Sequence, residues 1–312
     1  MHTSETKLST LIYHYLMVYI GWGTTFLALR NTVLDMPVTV GAAIRYSIAA
    51  SLILMIKVLS GHSITFTRNQ LLGASFTGLL MFGVAINLEA TAMKELSSGI
   101  VCIIAASAPF GMALFNRLLG GKPITASELV GGIVAMSGVI FLAINQTEGQ
   151  LQVERWGAFI LCMGGMVFWS LGSVLNRHVP VPSDTRVLSA LQLAAAGVFM
   201  ALVAFANGDL EKVSAESFSS RFIFGTAYLV VLGGLLVIQS YNWLVKNQSV
   251  AKASSHAFVN PMIAVFVGYF LGGESLNAAI LLSLLVVLVG TALMLFGWSG
   301  LINLCVRKTG GR

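Results

Sequence analysis

The feature that most constrains this chain is a series of ten apolar stretches separated by short loops. A helix needs about 20 mostly apolar residues to cross the roughly 30 Å of hydrocarbon in a bilayer. Only 10% of the residues are charged, against roughly 25% in soluble domains. The sequence therefore predicts an all-α polytopic membrane protein with ten transmembrane helices. The ten spans lie near 9–29, 38–58, 70–93, 97–119, 127–145, 156–178, 186–206, 222–245, 249–271 and 276–297.

An even number of spans puts both termini on one side, and the distribution of Lys and Arg predicts which side that is. If the N-terminus is inside, twelve of these residues flank the inner ends of the spans and five flank the outer ends. The positive-inside rule then places both termini in the cytoplasm, as for an inner-membrane protein. The net charge of +6 is this inner excess, and no loop is long enough for a nucleic-acid-binding domain. The inner set is Lys7, Lys57, Arg68, Arg117, Lys122, Arg177, Arg186, Lys246, Lys252, Arg307, Lys308 and Arg312, and the outer set is Arg30, Lys94, Arg155, Lys212 and Arg221.

The three cysteines, Cys102, Cys162 and Cys305, are scattered along the chain and form no spaced pair. A disulfide framework or a zinc site is therefore not expected. We predict no cofactor and no metal site.

The chain also repeats itself. Residues 94–124 align without a gap to 246–276 at an offset of 152, and the first helices of the two halves align at an offset of 147. Each half holds five spans, an odd number, so we expect the second half to be inverted relative to the first. Inverted repeats are typical of carriers that work by alternating access. The predicted units are residues 1–150 and 151–312. Matched pairs include Trp22 with Trp169, Arg30 with Arg177, Pro109 with Pro261, and 120–121 with 272–273.

Several motifs carry a family resemblance over essentially the whole chain. They are WGTTF in span one, AAIRY in span two, WSLGSVLNR in span six, a proline within spans four and nine, and GGESL before span ten. In this order the chain resembles the EamA-type branch of the drug/metabolite transporter superfamily. The resemblance implies a secondary carrier, usually an exporter of small metabolites, amino acids or drugs, and it implies no particular substrate.

Arg45 is a charged residue inside an otherwise apolar span, seven residues after Val38 and roughly 10 Å along the helix. A charge near the bilayer centre costs at least about 2.5–3.5 kcal/mol, so Arg45 must face the interior of the bundle, paired or wetted. Glu89 in span three lies at similar depth and is its candidate partner. Two interpretations stay open. The two residues form a structural clasp, or Arg45 binds an anionic group of the substrate while Glu89 binds a cation or takes a proton.

The repeat bears on this choice because Arg45 corresponds to Gln192, and Glu89 corresponds to Tyr241. The second half replaces both charges by neutral polar groups, which counts against a purely structural clasp. Gln192 and Tyr241 are therefore added to the candidate substrate contacts.

Span nine carries a polar stripe in which Lys252, His256 and Asn260 are spaced four residues apart. Lys252 is expected to extend its ammonium group to the inner interface. His256 lies about one turn deeper and is either a satisfied buried histidine or a contact for substrate or proton. We predict His256 and Asn260 as substrate contacts, and Glu89 and His256 as candidates for proton coupling.

Pro109 and Pro261 lack a backbone N–H, so the carbonyls of Ala105 and Ala257 lose their helical donor. Freed carbonyls beside a cavity can bind substrate or allow the helix to bend. Because both halves keep the proline, we favour a shared hinge.

Four aromatic residues complete the candidate site. Trp22 is expected near the outer end of span one, as an interface anchor or part of a cavity wall, whereas Trp169 lies mid-span. With Tyr46 and Tyr241 they are expected to line a cavity that accepts apolar groups, rings and cations.

The sequence thus predicts a secondary-active exporter of small organic metabolites, such as amino acids or amphiphilic compounds, with inward proton flow as a candidate driving force. Its partners are a small-molecule substrate and the lipid bilayer, and a monomer is favoured. A passive facilitator or channel is the main alternative. A membrane enzyme or sensor is disfavoured because no HExxH, GxSxG or paired-Asp motif is present.

Overall fold

The computed structural model describes residues 8–146 and 153–306, and within these ranges the chain forms helices and no strands. The prediction of an all-α polytopic protein is confirmed. One helical segment coincides with each predicted span, and we number these segments α1 to α10. They are α1 (8–33), α2 (Val38–Leu59), α3 (Arg68–Ala92), α4 (Ser98–Leu118), α5 (Ala126–Gln146), α6 (Val153–Leu175), α7 (Thr185–Ala206), α8 (Ser220–Asn247), α9 (250–272) and α10 (Ala278–Val306).

Eight of the described segments are long and apolar enough to cross a membrane. Segment α1 is not among them because residues such as His14 and Tyr15 dilute its apolar character. Segment α9 is broken after Ala253, which leaves the helix His256–Gly272 with 17 residues, about 26 Å at the α-helical rise. The count of ten crossings therefore stays a prediction.

Contacts near the helix ends sort those ends into two faces. On one face, which we call the N-face because α1 begins there, Lys57 at the end of α2 donates to Asp184 before α7 at 2.7 Å. On the opposite face, Arg221 at the start of α8 donates through Nε to Asp35 after α1 at 2.9 Å. The connections at the two ends of α2 thus lie on opposite faces, and so do those at the two ends of α7, as expected for helices that cross a bilayer.

Helices α1 to α5 correspond in order to α6 to α10, and corresponding helices make corresponding contacts. Segment α2 packs on α7 and α5 packs on α10, while α3 on α6 matches α8 on α1, and α4 on α6 matches α9 on α1. This pattern fits a duplicated chain. The inverted orientation of the halves and the boundary between 1–150 and 151–312 stay predictions.

Segments α5 and α10 approach each other through glycine. A Cβ atom on Gly290 would overlap the Ala135 nitrogen, and one on Gly131 would lie 2.6 Å from the Gly290 oxygen. Small residues allow helix backbones to pack closely in a membrane, where water supplies no hydrophobic driving force between helices.

Three segments contain a stretch of π-helix, at Met17–Gly21 in α1, Leu79–Ala85 in α3 and Leu229–Val237 in α8. At the repeat offset of 152, the stretch in α3 corresponds to 231–237, so α3 and α8 are widened at equivalent places. Such π segments are frequent at functional sites. Both of these border the cavity described below.

Segments α4 and α9 are broken at positions that the repeat does not match. In α4 the helix ends at Ala105 and restarts at Ala108, so Pro109 occupies the first turn of the second part. A proline is tolerated there because a backbone N–H in the first turn has no acceptor within the helix. In α9 the break precedes His256, and Pro261 lies inside the helix that follows. The shared hinge at the two prolines stays a prediction.

Candidate substrate site

Two adjacent cavities lie inside the bundle, and both halves of the chain contribute to them. The Arg45 cavity is lined from α1, α2, α3, α7 and α8. The His256 cavity is lined from α1, α3, α4, α6 and α9. The residues that line both cavities are Trp22, Phe26, Ile86 and Glu89.

Arg45 lines the first cavity and is only 5% exposed. Its Nη2 donates to the Tyr46 hydroxyl at 2.8 Å, and its guanidinium carbon lies 4.5 Å from the centre of the Tyr46 ring. A guanidinium has five N–H donors, so a single neutral hydroxyl leaves most of them available. Arg45 is therefore positioned to bind an acidic group that enters the cavity.

Glu89 is 2% exposed and lines both cavities. Among the described residues, none donates a hydrogen bond to its carboxylate, and no salt bridge within 4.0 Å joins it to Arg45. The candidate pair is thus one cation and one carboxylate that face the same space without contact. This arrangement matches the open interpretation in which each group binds a different part of a ligand.

Aromatic rings form a wall between the two cavities. The Trp22 ring centre lies 5.0 Å from the ring centres of Trp169, Tyr241 and His256. Of the two alternatives for Trp22, interface anchor or cavity wall, the structure agrees with the second, because Trp22 lines both cavities. Segment α1 runs from residue 8 to residue 33, so Trp22 lies near its middle, at the depth of Trp169.

His256 and Asn260 lie together on the wall of the second cavity. The Asn260 amide is 3.3 Å from Nδ1 of His256, and it also faces the backbone carbonyl of Tyr19 in the π segment of α1. Asn260 therefore joins α9 to α1, in addition to any contact with a ligand. Among the described residues, no three His, Cys, Asp or Glu side chains gather as a metal site would require.

Gln192 does not line either cavity. Its Nε2 donates to Thr77 Oγ1 and Asn176 Oδ1, each at 3.0 Å, and its Oε1 accepts from Asn242 at 2.9 Å. The side chain is fully buried. Tyr241 is also fully buried, and its hydroxyl donates to Ser173 at 2.9 Å. In this conformation the two counterparts of Arg45 and Glu89 join helices to one another, and their predicted contact with substrate stays a prediction.

The two residues whose carbonyls lose a helical donor, Ala105 and Ala257, both line the His256 cavity. Nearby, the carbonyl of Ala106 accepts from Thr291 at 3.4 Å and that of Ala108 accepts from Ser170 at 3.1 Å. The Thr291 side chain thus supplies a donor to the Ala106 carbonyl at the break in α4.

The sequence did not indicate a second buried cation, Lys57, which is 4% exposed. Its ammonium group pairs with Asp184, whose side chain is 32% exposed, on the N-face. Burial alone would raise the pKa of Asp184, but hydrogen bonds from Lys57 and from Arg186 lower this pKa to about 2. By its position Lys57 is expected at the inner end of its span, and Asp184 carries no motif that indicates the contact.

The sequence model of the EamA-like transporter family matches the chain twice, at residues 10–144 and 156–296. The chain is 32% identical over 281 residues to the Escherichia coli K12 protein named as the uncharacterized inner membrane transporter YedA, covering 90% of this chain and 89% of YedA. It is 22% identical over 279 residues to the Bacillus subtilis protein named as the uncharacterized transporter YvbV, covering 88% of each.

A solved crystal structure resembles the whole molecule, with a TM-score of 0.69 and 17% sequence identity. The match covers 93% of this chain and 98% of the solved chain. At this identity the likeness shows the fold alone.

Proposed function

Because the chain belongs to the EamA-like transporter family, we propose that it is a secondary transporter that exports a small organic solute with one acidic group. An amino acid or an amphiphilic compound would fit. The observation that carries this proposal is the buried Arg45, which faces a cavity without a carboxylate within 4.0 Å among the described residues, while Glu89 lines the same cavity.

Each wall of the site has a role in this proposal. Arg45 presents a planar set of N–H donors that suits a carboxylate. Glu89 binds an ammonium group of the same solute or carries a proton, since it also lines the His256 cavity. The ring wall around Trp22 and Trp169 accepts apolar groups and attracts cations. In the described part of the chain, Arg45 is the only Lys or Arg that lines these two cavities, which favours a solute with one acidic group over a sugar phosphate.

Alternating access of two inverted halves would move the solute. The repeat-related helix contacts and the two separate family matches support this part of the proposal. The excess of Lys and Arg on the N-face supports a cytoplasmic location for that face, and the name of YedA supports a location in the bacterial inner membrane. One chain encloses both cavities, which supports a monomer as the working unit.

A comparison of metabolites in spent medium from cells with and without the gene would identify candidate solutes. Flux of a candidate into proteoliposomes, with and without an imposed pH gradient, then tests the mechanism. We expect flux that depends on the pH gradient, and we expect Glu89→Gln to abolish that dependence.

Two results would change this proposal. Unchanged flux and unchanged pH dependence in Glu89→Gln would remove the proton role of Glu89. Flux that no gradient drives would indicate a passive facilitator.

A further inference from the structure

Two further cavities, one on each face, occupy equivalent places in the repeat. We call them the N-face cavity and the opposite-face cavity. Four lining positions of one cavity correspond to four of the other at the repeat offsets of 147 and 152. The N-face set is Gly121, Lys122, Arg177 and Ser249, and the opposite-face set is Gly273, Glu274, Arg30 and Ser97.

On the opposite face the chain fills its own anion site. The Glu274 side chain is 4% exposed. Its carboxylate accepts from the backbone nitrogens of Ser98 at 2.8 Å and Gly99 at 3.2 Å, and it pairs with Arg30 at 3.4 Å. A carboxylate therefore joins the end of α1 to the start of α4 and occupies the space between them.

On the N-face the equivalent carboxylate is missing. Lys122 takes the place of Glu274, and an ammonium group cannot accept a hydrogen bond. Arg177 donates through Nη2 to the backbone carbonyl of Gln248 at 2.7 Å. Within the described ranges no carboxylate lies within 4.0 Å of either cation.

The acidic residue on the N-face cavity, Glu128, is engaged elsewhere. Its Oε2 accepts from the backbone nitrogen of Thr125 at 2.7 Å and from the Thr125 hydroxyl at 2.9 Å. The two cations Lys122 and Arg177 and the one carboxylate of Glu128 together give the cavity lining a net charge of +1.

We propose that the N-face cavity binds an oxyanion group, a carboxylate or a phosphate, between Lys122 and Arg177. The ligand occupies the place that the Glu274 carboxylate fills on the opposite face. Binding itself does not depend on the proposed function. If that function holds, this site is where the acidic group of the solute first binds on its way to Arg45.

The position of the cavity suits such a role. Pro109 and Ser254 line the N-face cavity, while their near neighbours Ala108 and His256 line the His256 cavity. The breaks in α4 and α9 form the wall between the two spaces. Ser254 Oγ donates to Met112 Sδ at 3.4 Å, and this contact joins α9 to α4 within the wall.

The test is protection of a cysteine inside the N-face cavity from alkylation. Ala113→Cys in a cysteine-less background places a small reporter on the lining. The protein is reconstituted in nanodiscs of neutral phosphatidylcholine and treated with a maleimide, with chloride or inorganic phosphate at equal ionic strength. We expect phosphate to slow alkylation about fivefold when its concentration is several times Kd. A second set of nanodiscs contains phosphatidylglycerol and no free phosphate.

Protection by free phosphate in neutral nanodiscs supports a dissolved oxyanion, and protection by phosphatidylglycerol alone supports a lipid headgroup as the source. Equal alkylation in all conditions would overturn the proposal. Arg177→Gln and Lys122→Gln should lose the protection, whereas Arg68→Gln, an exposed charge elsewhere on the N-face, should keep it. Because Lys122 is exposed, its variant is expected to fold. Protection without any transport would contradict the proposed function and leave the binding site intact.

Discussion

At the scale of single residues, Arg45 and Lys57 show two ways to bury a cation in the same helix. Lys57 is paired with Asp184 at 2.7 Å, whereas Arg45 contacts the neutral Tyr46 hydroxyl and faces open space. Removing one partner of a buried ion pair destabilises a protein because the other charge stays buried alone. Lys57 is therefore tied to stability, and Arg45 is available for binding.

We expect Arg45→Gln to reduce solute flux at least about tenfold, since a charged hydrogen bond is worth about 1.5–3 kcal/mol. The fold should persist, because no described carboxylate is left unpaired. The measurement is initial flux in proteoliposomes, with Arg68→Gln as the control for loss of one N-face charge. Equal flux in Arg45→Gln and the unsubstituted protein would contradict this role.

We expect Asp184→Asn to destabilise the protein by about 2 kcal/mol at neutral pH, below the ~3–5 kcal/mol of a fully buried pair because Asp184 is partly exposed. An asparagine side chain can also cap the N-terminus of α7, so the loss of stability measures the contribution of the Asp184 charge. The folded pKa of Asp184 is lowered to about 2 from an ordinary 3.8. Its contribution is therefore present above the ordinary value and is lost as the pH falls toward 2.

Melting temperatures in detergent across the pH range check this prediction. The difference in melting temperature between Asp184→Asn and the unsubstituted protein should be largest at neutral pH. It should decrease as the pH falls below the ordinary pKa of Asp184. A difference that does not change with pH would indicate that the Asp184 charge contributes nothing.

At the scale of helices, the two faces differ in how the start of α4 and the start of α9 are held. The start of α4 is bound by Glu274, and the equivalent position near α9 is Lys122. The sequence alignment of GGKPI with GGESL already contains this charge reversal. Its consequence could not be read from the sequence, because the contacts to the Ser98 and Gly99 nitrogens join residues 175 and 176 positions apart.

We expect Glu274→Gln to loosen the opposite face, because the amide loses the charge pair with Arg30 and cannot accept from both nitrogens as a carboxylate does. Ile100, which is 5% exposed and lines the cavity behind Glu274, is a suitable reporter as Ile100→Cys. Its alkylation from the opposite face should rise several-fold in Glu274→Gln. Glu216→Gln, at an exposed position on the same face, should leave the rate unchanged. An equal rate in both variants would contradict the role of Glu274 in holding α1 and α4 together.

At the scale of the whole molecule, much of the architecture could be predicted because apolar length and the repeat are properties of the sequence. The helix bounds and the burial of Arg45 follow from the cost of exposing polar groups to lipid. Depth was less predictable. The sequence leaves two alternatives for Trp22, an interface anchor or a cavity wall. Segment α1 extends over 8–33 and places Trp22 beside Trp169 and His256.

The cavities were not predictable from the sequence either. Gln192 and Arg45 are equivalent in the repeat. The Gln192 side chain is hydrogen-bonded to α3, to Asn176 just after α6, and to α8, while Arg45 faces a cavity. Side-chain networks of this kind depend on three-dimensional packing between segments distant in the chain.

The central claim is that the Arg45 cavity is open to solutes from each side of the membrane in turn. Ala49→Cys in a cysteine-less background places a reporter on the cavity wall, one turn from Arg45. Membrane-impermeant maleimide is applied separately to each side of oriented vesicles. We predict alkylation from both sides, with Glu274→Gln increasing the rate from the opposite face. A cysteine that stays unmodified from both sides in a folded protein would contradict the account.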